Sequence, residues 1–166
     1  MSANKTIVLA RHGDASWGPR DYDRPLSERG RADVMNAATF LISKDLEPDL
    51  IVYSPARRTQ ESLGIIKNVC NRRVVVRALE FEPLYQCTVE HILDACYLGD
   101  GIQHLMVLAH NPGLTDFLQY LVTDGDLLLK QHGGLTPATM VAVEVAYDGD
   151  ILVPRKGKVL DWYSPC

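Results

Sequence analysis

The chain lacks an excess of positive charge. Lys and Arg number 17 against 21 Asp and Glu, a formal net charge of -4. That balance argues against general binding to nucleic acid or an anionic membrane, so any anion site must be a local concentration of arginine. No stretch approaches the roughly 18 consecutive apolar residues a membrane span needs. The apolar part of the N-terminal segment is too short for a secretory signal. The four cysteines, Cys70, Cys87, Cys96 and Cys166, form no C-x-x-C pair, and a chain this long does not need disulfide staples. Free thiols in a reducing cytoplasm are the expectation. Internal repeats, acidic tails and low-complexity linkers are absent too, so no boundary divides residues 1–166, which are expected to form one domain. Its 166 residues, 46% of them hydrophobic, suffice for a full core.

What is present is an alternation. Short β-branched apolar runs at 5–10, 48–54, 73–79 and 104–110 read as buried strands. Between them, residues 26–45, 54–69, 88–98 and 111–123 carry helical patterns. Ser27, Ser54, Thr88 and Asn111 are the candidate caps, and a proline directly follows Ser54 and Asn111. From residue 138 to 163 the pattern changes to two or three strands with a turn at "YDGD". The expected fold is α/β, a three-layer sandwich with a largely parallel central sheet and an antiparallel C-terminal edge.

In such sheets ligands bind beyond the carboxyl ends of the strands. The first strand ends in Arg11-His12-Gly13-Asp14, the second leads to Arg57 and Arg58 in the first turn of a helix, and the fourth ends in His110-Asn111. Should these strands be neighbours, two histidines and two or three arginines converge with two helix N-termini. Unpaired N–H groups, the helix dipole and bidentate guanidinium donors all suit a phosphoryl group. Neighbouring arginines should keep a histidine neutral and nucleophilic, and attack on phosphorus would give a phosphohistidine. Arginines and helix ends supply the positive charge, so the reading calls for no metal and no cofactor. His12, His110 and Asp14 lack the short spacing of a metal-binding pair. Asp14 has three open readings: an acid, a partner for an arginine, or a turn residue. Trp17 and Tyr22 follow the motif and could border the pocket.

"LARHGDA" (9–15), "RPLSERGRADV" (24–34), "SPARRTQES" (54–62) and "VLAHNPGL" (107–114) resemble, in order and spacing, the four signatures of the histidine phosphatase (RHG) superfamily. The short length, "HNP", "LYQCTVEHIL" (84–93) and the "WYSPC" ending favour the small SixA-type phosphohistidine phosphatase branch over the phosphoglycerate mutases. The resemblance runs from about residue 5 to residue 123 and implies a phosphoglycerate-mutase-like fold. It makes His12 the phosphate-accepting nucleophile, Arg11 and Arg58 phosphate ligands, and His110 a group that stabilises the transferring phosphoryl. Arg24, Asn111 and Gly13 are implied as further substrate contacts. Arg57 falls on a variable position.

Two departures stand out. Glu61 and Ser62 replace the Gln and Thr common in the family, past the contact residue, and are expected to affect helix packing. Gln86 stands where relatives often carry an acidic residue that protonates the leaving group. Asp14, Glu82 and Glu80 are the candidate substitutes, unless the leaving imidazole of a phosphohistidine arrives already protonated. The expected activity is a metal-independent phosphatase acting through phospho-His12, with protein phosphohistidine as substrate. A histidine-containing phosphotransfer domain would be one such target. The alternatives are a small-molecule phosphoesterase, or a module that binds a phosphoryl group or phosphoprotein without turning it over. The expected setting is cytoplasmic, and nothing in the sequence demands more than a monomer.

Overall fold

The computed structural model describes residues 4–71 and 75–166. Its sheet comprises β1 (Asn4–Arg11), β2 (Leu50–Tyr53), β3 (Arg77–Glu80), β4 (His104–Ala109), β5 (Met140–Asp148), β6 (Ile151–Leu152) and β7 (Lys158–Tyr163). The helices are α1 (Glu28–Ser43), α2 (Arg57–Cys70), α3 (Val89–Leu98), α4 (Gly113–Leu121) and α5 (Gly125–His132). Short 3-10 turns occupy Asp21–Asp23 and Glu82–Leu84.

The strand order is β3-β2-β4-β1-β5, with β6 and β7 both pairing β5. The pairs β3–β2, β2–β4 and β4–β1 are parallel, and β5 joins β1 antiparallel. This is the expected parallel sheet with an antiparallel C-terminal edge. β1, β2 and β4 are adjacent, so their carboxyl ends meet at one edge, with Arg11 paired to Ala109 and Tyr53 to Leu108.

Strand alternation sorts the core into two layers. Ile7, Leu9, Leu105, Val107 and Val143 face α3 and α4, packing with Ile92, Leu114, Phe117 and Leu118. Val8, Ala10, Ile51, Met106 and Leu108 face the other way, onto Val34, Ala38, Leu41 and Ile66 of α1 and α2. Both faces are covered, which is why these strands read as continuous apolar runs.

Ser27 caps α1, its hydroxyl accepting the Gly30 N–H at 2.9 Å. Thr88 caps α3 in a reciprocal pair with His91. Ser54 does not cap α2, contrary to expectation. That helix begins at Arg57 after Ala56, and the Ser54 hydroxyl is taken by His110 at 2.7 Å. α4 starts later than expected, at Gly113, although Asn111 Oδ1 accepts the Thr115 N–H at 3.2 Å. β3 lies at 77–80, shifted from the expected 73–79, whose residues 73 and 74 fall outside the described residues. α5 was not anticipated. Its eight residues carry a single buried position, Gly125, so no apolar stripe announces it, and it stops at Gly133 in the left-handed region, φ 74°. All four cysteines are free thiols. No described helix is long and apolar enough to cross a membrane.

Candidate active site

His12 sits one residue beyond β1 and is buried. Its Nδ1 lies 2.7 Å from the Gly13 carbonyl. A carbonyl can only accept, so Nδ1 carries the proton and Nε2 keeps the lone pair. Arg58 Nε donates to that Nε2 at 3.3 Å. His110, one residue beyond β4, is buried beside it, the ring centroids 4.9 Å apart. Arg58 Nη2 donates to His110 Nδ1 at 3.4 Å. Nε2 of His110 therefore bears the proton and donates it to Ser54 Oγ.

Both imidazoles are held neutral. His12 is pushed down to about 3, first by burial and then by His110, Arg58 and Arg11, while the Gly13 hydrogen bond opposes the shift. His110 is pushed down to about 4 by burial and by Arg58 and Arg11, with Asp21 pulling the other way. The sequence attributes this neutrality to arginines. In the structure desolvation is the larger cause and the arginines add to it.

Arg58, in the first turn of α2, is the centre of the site. Besides the two histidines it donates Nη1 to the Asp21 carbonyl at 2.7 Å and Nη2 to Asp21 Oδ2 at 3.2 Å. Arg11 donates Nη1 to the Leu135 carbonyl at 2.7 Å, and its buried Nε has no hydrogen-bond partner among the described residues. Arg24 donates Nε to the Ser16 carbonyl, Nη2 to the Ala15 carbonyl and Nη1 to Asp21. Asn111 gives its amide N–H to the same Leu135 carbonyl at 2.9 Å.

Two cavities share Arg58, His110 and Asn111. The smaller, about 190 Å³, is lined also by Arg11, His12, Asp14, Ala15, Arg24 and Pro137. The larger, about 380 Å³, adds Asp21, Tyr85, Gln86 and Cys87. The structure therefore brings together His12, Arg11, Arg58, His110, Arg24 and Asn111. Gly13 stands behind them in a structural position. Its N–H goes to Ser62 Oγ at 3.1 Å, and a Cβ there would lie 2.7 Å from the Gly30 carbonyl oxygen and from Val34.

The candidate acids fare differently. Asp14 reaches the rim of the smaller cavity, but its Oδ2 accepts the Ser27 hydroxyl at 2.7 Å. Glu82 lines neither cavity. It borders an adjoining depression with Pro83 and His91, which shares Tyr85 and Gln86 with the larger cavity. Arg57 points outward to Glu61. Trp17 is 85% exposed, and Tyr22 packs edge-on against Tyr85.

Three contributors escaped the sequence reading. Asp21 receives Tyr85 OH at 2.6 Å together with Arg24 and Arg58, and these partners, the tyrosine first, hold its carboxyl down at about 2. The only signal in the sequence was its place three residues before Arg24. Ser54 holds the Nε2 side of His110, and its usefulness as a cap hid that. Ser62 joins the Gly13 N–H to the Arg58 carbonyl, to which it donates at 2.8 Å. It acts on the histidine loop as well as on helix packing. Among the described residues no group of three His, Cys, Asp or Glu side chains is arranged to hold a metal ion.

Comparison with known proteins gives a consistent picture. Residues 7–79 match the histidine phosphatase superfamily (branch 1). An uncharacterized chloroplastic protein of Arabidopsis thaliana is 31% identical over 123 residues, 68% of this chain and 56% of that protein. The chain thus spans a little over half the length of that relative. A protein thought to be the phosphohistidine phosphatase SixA of Agrobacterium tumefaciens superposes with a TM-score of 0.82 at 23% identity, covering 97% of this chain and 98% of that one. The protein histidine phosphatase SixA complexed with tungstate gives 0.73 at 20% identity, covering 97% of each chain. Residues 7–79, which hold three of the four signatures, thus match the histidine phosphatase superfamily, and over nearly its whole length the chain has the fold of these SixA structures.

Proposed function

We propose that the protein is a phosphatase that passes the phosphoryl group through His12. The observation that carries the reading is the state of that imidazole. It is buried and neutral, its Nδ1–H is committed to Gly13, and its Nε2 lone pair faces a guanidinium. A phosphoryl group in the smaller cavity would meet Arg11, Arg24 and Arg58. The orphan Arg11 Nε–H would gain a phosphate oxygen in place of the unsatisfied state that costs about 1–3 kcal/mol. Nε2 would attack phosphorus while the bond to the leaving group breaks, and the three arginines would hold the charge spread over the equatorial oxygens. His110 would take up a proton beside the bound dianion and donate through Nδ1. None of these steps calls on a metal. Tungstate bound to SixA is a tetrahedral oxyanion, like the phosphate this site would hold.

Protein phosphohistidine is the substrate this reading favours. Its imidazole can leave protonated, which suits a site whose larger cavity presents Gln86 rather than a general acid. A small phosphoester is the competing substrate. The same Gln86 supports a second reading, a module that retains a phosphoryl group without turnover.

Single-turnover labelling tests all three. Wild type incubated with labelled phosphohistidine peptide or an aryl phosphate should form an acid-labile, alkali-stable adduct that His12→Ala does not form, with turnover unaffected by EDTA. Tight phosphopeptide binding without adduct or turnover would instead favour the binding module. No adduct, turnover or binding with any phosphorylated substrate would falsify the reading.

A further inference from the structure

Hydrolysis has a second half, in which water must remove the phosphoryl group from His12 and give up a proton. None of the three acid candidates from the sequence lines the larger cavity. Asp14 borders the smaller one, with Oδ2 held by Ser27, and Glu82 and Glu80 line neither. Gln86 cannot take a proton at neutral pH. Among the residues lining the larger cavity, Asp21 is the one carboxylate.

Its orientation is fixed from three sides. Tyr85 OH and Arg58 Nη2 both donate to Oδ2, at 2.6 and 3.2 Å, whereas Oδ1 receives only Arg24 Nη1, at 3.3 Å. Two donors fill Oδ2, and Oδ1 keeps a lone pair to offer. The side chain is 55% exposed, so water reaches it. It is also bonded to the arginine that touches His12 Nε2. The carboxyl is ionised throughout the neutral range.

Resting on the phospho-His12 reading above, we propose that Asp21 is the general base for hydrolysis of the phosphoenzyme. Water in the larger cavity attacks phosphorus, and its proton passes to Asp21 Oδ1. The P–Nε2 bond breaks, and its electron pair returns to Nε2. His12 is left as the neutral imidazole, with Nδ1–H still donated to Gly13. The proton on Asp21 then leaves with phosphate or to solvent. Tyr85 is a positioning residue that holds the carboxylate through Oδ2.

Rapid-quench kinetics with p-nitrophenyl phosphate tests this, because nitrophenolate departs without acid and the first half is then insensitive to a missing acid. Asp21→Asn should give a burst of nearly one equivalent of nitrophenolate, then a steady state about 10²-fold slower than wild type. Phospho-His12 should accumulate. Asp21→Glu, which retains a carboxylate, should recover part of the loss, and thermal melts should show both variants folded. If Asp21 merely orients Arg58, burst and steady state will slow together with no accumulation, and the proposal is overturned while the phospho-His12 reading stands. No burst and no adduct in Asp21→Asn, together with a His12→Ala variant as active as wild type, overturns the two together.

Discussion

Acidification should destabilise the protein through its two active-site histidines, well above the pH at which its carboxylates respond. In the unfolded chain each imidazole has a midpoint near 6.5. In the folded chain His12 lies at about 3 and His110 at about 4. Between those limits the unfolded state binds more protons than the native state, so stability falls as pH falls from about 6.5. At pH 5 the difference is about 1.5 units, or roughly 2 kcal/mol for each histidine. The two are coupled, so the pair should cost on the order of 2–4 kcal/mol, a large part of the ~5–15 kcal/mol of a typical domain. Asp21, held down at about 2, loses its favourable ionisation only as pH drops through the ordinary carboxylate range, below this window. Urea unfolding at pH 7 and pH 5 measures the loss, and a double variant His12→Gln, His110→Gln should lose much less over the same interval. The same shift protects function, since a histidine with a midpoint of 6.5 would be only about 3% neutral at pH 5. Nitrogen-detected NMR should find His12 still neutral there, with the proton on Nδ1. Equal losses in wild type and variant, or imidazole midpoints near 6.5, would refute the reasoning.

Gly30→Ala would ordinarily stabilise a helix by about 1 kcal/mol. In α1 the new Cβ would meet the Asp14 backbone, 2.1 Å from its carbonyl oxygen and 2.8 Å from its nitrogen. The variant should instead lose about 1–3 kcal/mol, lowering Tm by about 2–10 °C, and a raised Tm in calorimetry would contradict the packing described. Ser62→Ala removes the acceptor for the buried Gly13 N–H and should cost about 1–3 kcal/mol. It should also slow phosphorylation of His12, and Ser62→Thr should restore both. Loss of stability without loss of rate would show that Ser62 does not position the histidine loop.

Residues differ in how openly the sequence declares them, and the difference is physical. β1, β2 and β4 are buried on both faces, so their apolar runs stand out, and the groups at their ends could be placed at one edge from topology alone. The convergence of Arg11, His12, Arg58 and His110 followed from that and from the family signatures. α5 fully buries only Gly125, with Leu128 and Leu129 half-buried against the core, and leaves no such trace. Ser54 was misread because a serine before a proline has two uses. Capping depends on local chain geometry, which sequence reports well. Bonding to His110 spans 56 positions and depends on how β2 and β4 pair. Asp21 shows the same limit more sharply. In the sequence it is one of several acids in a charged loop. It acquires a role only when Arg24 from its own loop, Arg58 from α2 and Tyr85 from the turn before α3 close around it. Asp14 had the stronger claim from the motif because it is two residues from His12. Two residues along an extended chain, however, carry a side chain roughly 7 Å onward, and there α1 offers it the Ser27 hydroxyl. The sequence points to Asp14, the near neighbour of His12, as an acid for the leaving group, whereas the carboxylate that lines the larger cavity, Asp21, is held there by tertiary contacts.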